Sequence, residues 1–366
     1  MIVAARDIAA GGGTLDFEDA LQLISAGAEE RDAKPAFPAS AFDVLRRSGA
    51  LALTVPGPDG GRPVSFLEEW SAVRAVARAD GSVGRIYDGH LNGIERLAVA
   101  APEPLRSQDL AGVAAGELLL GVWGADPLPH EGEAAWLDAS PAGPVLNGLK
   151  VFCSGAGGVT RALVTARSRE PGPPLLVYVD CSQGLAIDKG WFKGAGMRTS
   201  ESHRVTFSGA PVLAVLGEPG ELVRAPYFGR DAIRTAASWA GIADAAVDAA
   251  LGVLAAKGEP DDVVALAAGR MATAQQTIDV WLDGAAAIAS ADPESLPPEL
   301  SVHLRDAVTA SCRLILDEAG RACGSRPFAS GGALDRARRD LELFMLQHPL
   351  DRLVARAGKT LIQVRR

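Results

Sequence analysis

Cysteine is scarce in this chain of 366 residues, and its four examples, Cys153, Cys181, Cys312 and Cys323, form neither a Cys-x-x-Cys pair nor a Cys/His ligand spacing. That pattern excludes a zinc site encoded in the spacing and predicts reduced thiols in a cytoplasmic protein. No apolar stretch reaches about 18 residues without charge, and the first residues lack the long apolar run of a signal peptide, so a soluble protein with no membrane association is expected. Positive charge is in deficit, with 36 Lys and Arg against 45 Asp and Glu and a net charge of −9. A nucleic-acid groove needs a dense basic surface, so that class of partner is excluded. Aromatics are sparse at 5%, whereas the totals of 48% hydrophobic and 22% charged residues are ordinary for a globular chain. The length calls for two or three domains.

Three regimes of periodicity follow one another. Residues 1–115 read as helical: Leu15 to Arg31 carries apolar positions at helical spacing, and Ala41 to Gly49 is a short amphipathic helix closed by glycine. Ser65 with Glu68 fits a capping box that opens a helix to about Arg78, and Asp80 starts the next. Residues 116–225 change to short apolar runs broken by Gly, Pro and Asp, which predicts an antiparallel β sandwich or barrel. Residues 226–366 return to helical spacing in four long segments, from Ala232, Asp261, Pro298 and Ala333, which predicts a four-helix bundle. The fold class is α+β with a helical domain, a β domain and a helical bundle in that order.

One stretch of the β region stands out. Asn147 and Gly148 are the dipeptide best suited to a two-residue hairpin turn. Beyond them Phe152 and Ser154 are two apart and share one face of a strand, and Gly155, Ala156, Gly157 and Gly158 leave open space around them. An aromatic face beside a hydroxyl is suited to a flat, polar ring.

The chain resembles the acyl-CoA dehydrogenase superfamily of flavoproteins in this order of domains and in Leu45-Arg-Arg-Ser-Gly-Ala-Leu-Ala-Leu-Thr-Val-Pro56, Ala79-Asp-Gly-Ser82, Leu146-Asn-Gly-Leu-Lys150, Gly196-Met-Arg-Thr-Ser200 and Arg338-Arg-Asp340. The resemblance implies a flavin against the β domain, completed by the bundle, in a homodimer or homotetramer. It implies Phe152 as the flavin's aromatic neighbour and Ser154 as a hydrogen-bond donor near its N5, the atom through which hydride and proton pass. Trp123 and Gly124 fall on the family's other flavin-edge segment, and Arg198 and Ser200 on the segment that borders substrate or cofactor.

Departures from the family pattern are equally informative. The glutamate that removes the α-proton of an acyl thioester in dehydrogenating members falls at His348, and its alternative position falls close to Arg234. Histidine can serve as the base. Phe152-Cys-Ser-Gly155 resembles flavin-dependent monooxygenases more closely than the dehydrogenase pattern. The Arg-x-x-Phe-Gly segment that reaches the FAD pyrophosphate is replaced by Lys257-Gly-Glu-Pro-Asp-Asp262, leaving Arg326 as a substitute phosphate contact. The expectation is a flavin oxidoreductase acting on an acyl thioester, with CoA as one carrier, or on a related small molecule. It holds FAD, with FMN or diffusible reduced flavin as alternatives, and takes an electron-transfer flavoprotein or a flavin reductase as partner. The competing readings are a two-component monooxygenase using reduced flavin and oxygen, and a non-catalytic member that lost flavin chemistry.

Overall fold

The computed structural model describes residues 14–347 and 349–365. Six helices come first: α1 (Phe17–Ala26), α2 (Ala28–Ala33), α3 (Ala39–Arg47), α4 (Phe66–Ala79), α5 (Gly81–Ala100) and α6 (Leu105–Ala114). The expected capping box opens α4: Ser65 Oγ accepts from the Glu68 amide at 3.2 Å, and Glu68 Oε2 accepts from the Ser65 amide at 3.0 Å. Asp80 caps α5 by accepting from the amides of Ser82 and Val83, while its second oxygen takes the Arg31 guanidinium at 2.8 Å. Side-chain oxygens thus satisfy the amides that a helix start leaves open.

The strands are β1 (Leu120–Trp123), β2 (Trp136–Ser140), β3 (Gly143–Cys153), β4 (Arg161–Ala166), β5 (Leu175–Asp180), β6 (Leu185–Asp188) and β7 (His203–Leu216). They form one curled sheet in the order β1-β4-β5-β7-β3-β2, with β6 also on β7. β1 runs parallel to β4, and the other pairs are antiparallel. Long β7 makes the curl: its first half pairs with β3 and β6, its second half with β5, and Gly209 at φ 67° sits at the bend.

Asn147 and Gly148 do not form the expected hairpin. They lie inside continuous β3, where the register with β7 shifts between Leu146 and Asn147. The extra residue at the shift is Gly209 of β7, while Gly148, paired with Phe207, holds a positive φ of 89°, and a Cβ there would come within 2.8 Å of the Ala134 carbonyl and the Trp136 ring. The dipeptide signals positive φ, and a strand pressed this closely against its neighbour uses it as a turn does.

The bundle comprises α7 (Tyr227–Ala255), α8 (Asp262–Ala291), α9 (Pro298–Cys323), α10 (Arg326–Ala329), α11 (Ala333–Phe344) and α12 (Leu350–Gln363). The fourth expected helix is divided at Pro349, which cannot continue a helix hydrogen-bond ladder. The segment Glu221–Ala255 is apolar and long enough to cross a bilayer, but 67% of its apolar window is buried in the fold, as suits the bundle's central helix. α5 lies between β1 and α7, so it joins the sheet to the bundle.

Candidate functional site

Phe152 stands at the end of β3 with φ 51° and is 54% exposed. A left-handed conformation at a bulky residue is strained, and the register breaks here between Lys150 and Cys153. The two-residue alternation expected to align Phe152 with Ser154 therefore does not apply, because Ser154 has already left the strand. The Phe152 ring meets Trp191 edge-on, with centroids 4.9 Å apart at 82°. The Trp191 indole donates to Glu131 Oε1 at 3.1 Å, which fixes that ring.

Ser154 begins a chain of hydroxyls. Its Oγ lies 2.9 Å from Ser202 Oγ, which lies 2.7 Å from Ser200 Oγ. Each hydroxyl can donate or accept, so the three can reverse their direction together. Ser200 is buried, and Arg198 just before it is partly exposed. The glycines after Ser154 do not leave open space. A Cβ on Gly158 would stand 2.2 Å from the Phe37 ring, and one on Gly157 2.2 Å from Glu201 Oε2, so they permit close packing onto the helical domain and the 196–203 segment.

Trp123 is 1% exposed and packs near Phe207, so its indole shields no open face. It donates to the Ser154 carbonyl at 3.0 Å and thereby holds the hydroxyl's backbone. The Gly124 carbonyl accepts from Lys150 Nζ at 3.3 Å and Thr165 Oγ1 at 3.1 Å, while Lys150 also meets Asp126 at 2.6 Å. Burial pushes the Lys150 ammonium below its ordinary pKa, and Asp126 opposes that effect. Cys153 points inward, and burial raises its thiol far above the range of a reactive cysteine.

Arg326 is exposed at the start of α10, which packs on α11; among the described residues none of its hydrogen bonds reaches the β domain. His348 lies outside the described residues. Lys257 has a different use from the phosphate contact it replaces: Nζ donates to the carbonyls of Ala322 and Cys323 at 3.2 and 3.0 Å, closing the end of α9.

Three features escaped the sequence reading. Trp191 sits in a turn-rich stretch without periodicity, and its only signal is a large aromatic directly after Gly190. Glu201 and His203 flank Ser202, with His203 Nε2 3.2 Å from Glu201 Oε1 and Glu201 at φ 47°. The third is a buried ionic cluster beneath α5. Arg234 donates to Glu69 at 2.5 Å and lies 3.4 Å from Glu95, Arg230 pairs with Glu95, and Arg85 pairs with Asp88 at 3.1 Å. Burial pushes the Asp88 carboxyl up to about 6, with Arg85 opposing it, and burial raises Glu69 as well. Ile86, next to Arg85, faces Gly155, so the cluster and the Ser154 loop lie on either side of α5.

A cavity of about 970 Å³ opens elsewhere, among α1, α4, α7, α8 and the start of α11. Its lining includes Arg74, Asp244 and Asp279, but no strand residue and none of the predicted site residues. It is a separate feature of the helical side.

Residues 20–117 match the model of the acyl-CoA dehydrogenase N-terminal domain. An amino sugar nitrososynthase from Streptomyces peucetius is 30% identical over 267 residues, 68% of this chain and 65% of the relative. The chain belongs to the acyl-CoA dehydrogenase-like superfamily. A dibenzothiophene monooxygenase from Rhodococcus erythropolis is a further superfamily relative, 30% identical over 213 residues, 55% of this chain and 48% of that one. These alignments span about half to two thirds of the relatives' lengths. The superfamily fold extends over the whole chain: the FMN-bound crystal structure of TdsC from Paenibacillus superposes with a TM-score of 0.83 at 22% identity, covering 98% of this chain and 97% of that one.

Proposed function

We propose that the protein is a flavin-dependent monooxygenase that takes reduced FMN from a separate reductase and uses oxygen on a nitrogen or sulfur centre of a small molecule. The observation that carries this reading is the ion pair at Arg234. The family's alternative position for an α-proton base is close to a buried guanidinium bound to Glu69, and the nearby Glu95 is also paired with arginines. A buried cluster of guanidiniums and carboxylates is a poor bed for the apolar chain of an acyl thioester. Relatives named for amino sugar nitroso synthesis and dibenzothiophene oxygenation support the same direction.

An exposed aromatic in a strained conformation, a fixed tryptophan beside it and a hydroxyl chain fit the edge and face of a flavin. Phe152 and Trp191 would flank the ring, Ser154 would hydrogen-bond its N5 edge, Trp123 would hold Ser154 in place, and Arg198 with Ser200 would meet phosphate or substrate. When bound, reduced flavin supplies the electrons by which one oxygen atom enters the substrate while the other leaves as water. Around it this chain's residues exclude water and hold protons, with His348 as the proposed proton carrier. FMN is favoured over FAD because Lys257 closes a helix end and the exposed Arg326 starts a short helix that packs on α11. The exposed apolar side chains Val263, Leu266 and Val280 on α8 and Leu361 and Ile362 on α12 favour a homo-oligomer. The cytoplasm, where reduced flavin is made, suits such a protein.

Incubation with acyl-CoA and flavin without oxygen separates the readings. The proposal expects no bleaching of the flavin, and turnover of amine or thioether substrates only with a reductase and oxygen; bleaching by acyl-CoA overturns it. Full turnover by His348→Ala would remove His348 from the proposal.

A further inference from the structure

Arg305 on α9 is 2% exposed, yet among the described residues it has neither a hydrogen bond nor an ion pair. Its guanidinium lies over the Trp239 ring on α7, 4.8 Å from the centroid. The nearby carboxylates, Asp231 and Asp88, act on it only through space. Neither reaches it: Asp88 meets Arg85 through Oδ2 at 3.1 Å while its buried Oδ1 is unpartnered, and Asp231 meets Asn92 and, at 3.9 Å, Arg234.

Polar atoms without partners gather at the same place. Arg305 Nε, Trp239 Nε1 and Thr309 Oγ1 are all buried and lack hydrogen-bond partners. Thr309 is four residues after Arg305 and so shares its face of α9, and Cys312, three further on, meets the Trp239 carbonyl. Two of the three groups only donate, and the hydroxyl can. None of the three meets an acceptor within hydrogen-bond distance, although Asp88 Oδ1 and Asn92 Oδ1 are also buried without partners. Charge points the same way, because the five guanidiniums of Arg85, Arg96, Arg230, Arg234 and Arg305 face the four carboxylates of Glu69, Asp88, Glu95 and Asp231. A buried, uncompensated cation is among the costliest arrangements in a protein interior.

We propose that the facing strips of α7 and α9 form a binding site for a small anion, held by the Arg305 guanidinium with the Trp239 indole N–H and the Thr309 hydroxyl. Trp239 also meets Phe344 edge-on, and Phe344 lies beneath Arg85, which places the site on the bundle side of α5, opposite the Ser154 loop. The anion is either a free inorganic ion or the carboxylate of a substrate that reaches past α5.

The test uses the full chain without flavin, so its outcome is independent of the flavin reading. Sodium chloride and sodium propionate are titrated separately into low-salt zwitterionic buffer, with sodium gluconate titrated alone as the control for ionic strength. Tryptophan emission and the melting midpoint are followed. Saturable change with either probe supports the site: chloride alone identifies an inorganic ion, and propionate identifies a carboxylate. Arg305→Met is expected to weaken binding on the order of tenfold or more, Thr309→Val less, and Arg305→Lys is expected to retain part of the affinity. In anion-free buffer Arg305→Met melts above the native protein, since it removes an uncompensated charge; a guanidinium serving only to pack on Trp239 would give the reverse order. The proposal is overturned if neither probe gives saturable change, or if folded Arg305→Met or Thr309→Val binds as tightly as the native chain.

Discussion

Phe152 combines two properties that seldom coincide without a ligand: an exposed ring and a left-handed backbone. A pair of substitutions separates them. Phe152→Ala and Phe152→Gly both remove the ring, and both should weaken flavin binding on the order of tenfold in a fluorescence titration. Glycine adopts φ 51° without penalty, so Phe152→Gly should be more stable than Phe152→Ala by about 1 kcal/mol in denaturant unfolding. Equal stabilities would remove strain from the description. Phe152 and Ser154 stand out in the sequence as an aromatic and a hydroxyl before a glycine run, but their relation was not legible there, because a positive φ at a phenylalanine leaves no trace in a residue pattern. Trp191 was illegible for a different reason: it lies in an irregular loop, where no periodicity says which way a side chain points.

Among the elements, α5 couples the sheet to the bundle, and His90 is its fastening. Its Nδ1 accepts from the Leu120 amide at 3.0 Å, and its Nε2 lies 2.8 Å from the Leu51 carbonyl, so the ring is neutral with its proton on Nε2. Burial lowers its pKa to about 4, against an ordinary 6.5. The folded state therefore resists the proton that the unfolded chain takes up below 6.5. The resulting stability is fully present above pH 6.5 and is lost as pH falls toward 4, by about 3 kcal/mol for this one group. Urea unfolding across that window should show the loss, and His90→Gln should flatten it; an unchanged slope would contradict the assignment. Helix starts were readable because Ser65 and Asp80 carry local capping chemistry. The place of Asn147 and Gly148 inside a strand was not, since a glycine at positive φ serves a turn and an irregular strand alike, and only the partner strand, bulged at Gly209, distinguishes them.

For the whole molecule, the decisive contacts cross between its parts. Asp340 on α11 accepts from the Met197 amide, and burial pushes its carboxyl up to about 7; Arg339 beside it binds Asp32 at 2.7 Å. The Arg338-Arg-Asp340 motif thus ties helical domain, β domain and bundle together, a role that single-segment reading could not supply. Arg234 does the same for α4, α5 and α7, and Arg234→Leu should lower unfolding stability by roughly 3–5 kcal/mol by stranding Glu69 and Glu95, with partial recovery in Arg234→Leu combined with Glu69→Gln. No recovery would mean that the cluster acts through packing rather than charge. The order of the parts was legible because helical and strand periods differ. The ionic cluster was not, because its members are spread from residue 69 to residue 305 and meet only in the fold.

The central claim, that this fold handles reduced flavin and oxygen, is tested most directly by mixing the protein with reduced FMN under anaerobic conditions and then adding oxygen in a stopped-flow instrument. The account predicts binding at micromolar protein and a reoxidation trace that differs in rate and shape from free flavin, reverting toward it in Ser154→Ala. A trace identical to that of free flavin, at protein concentrations well above that of the flavin, would contradict it.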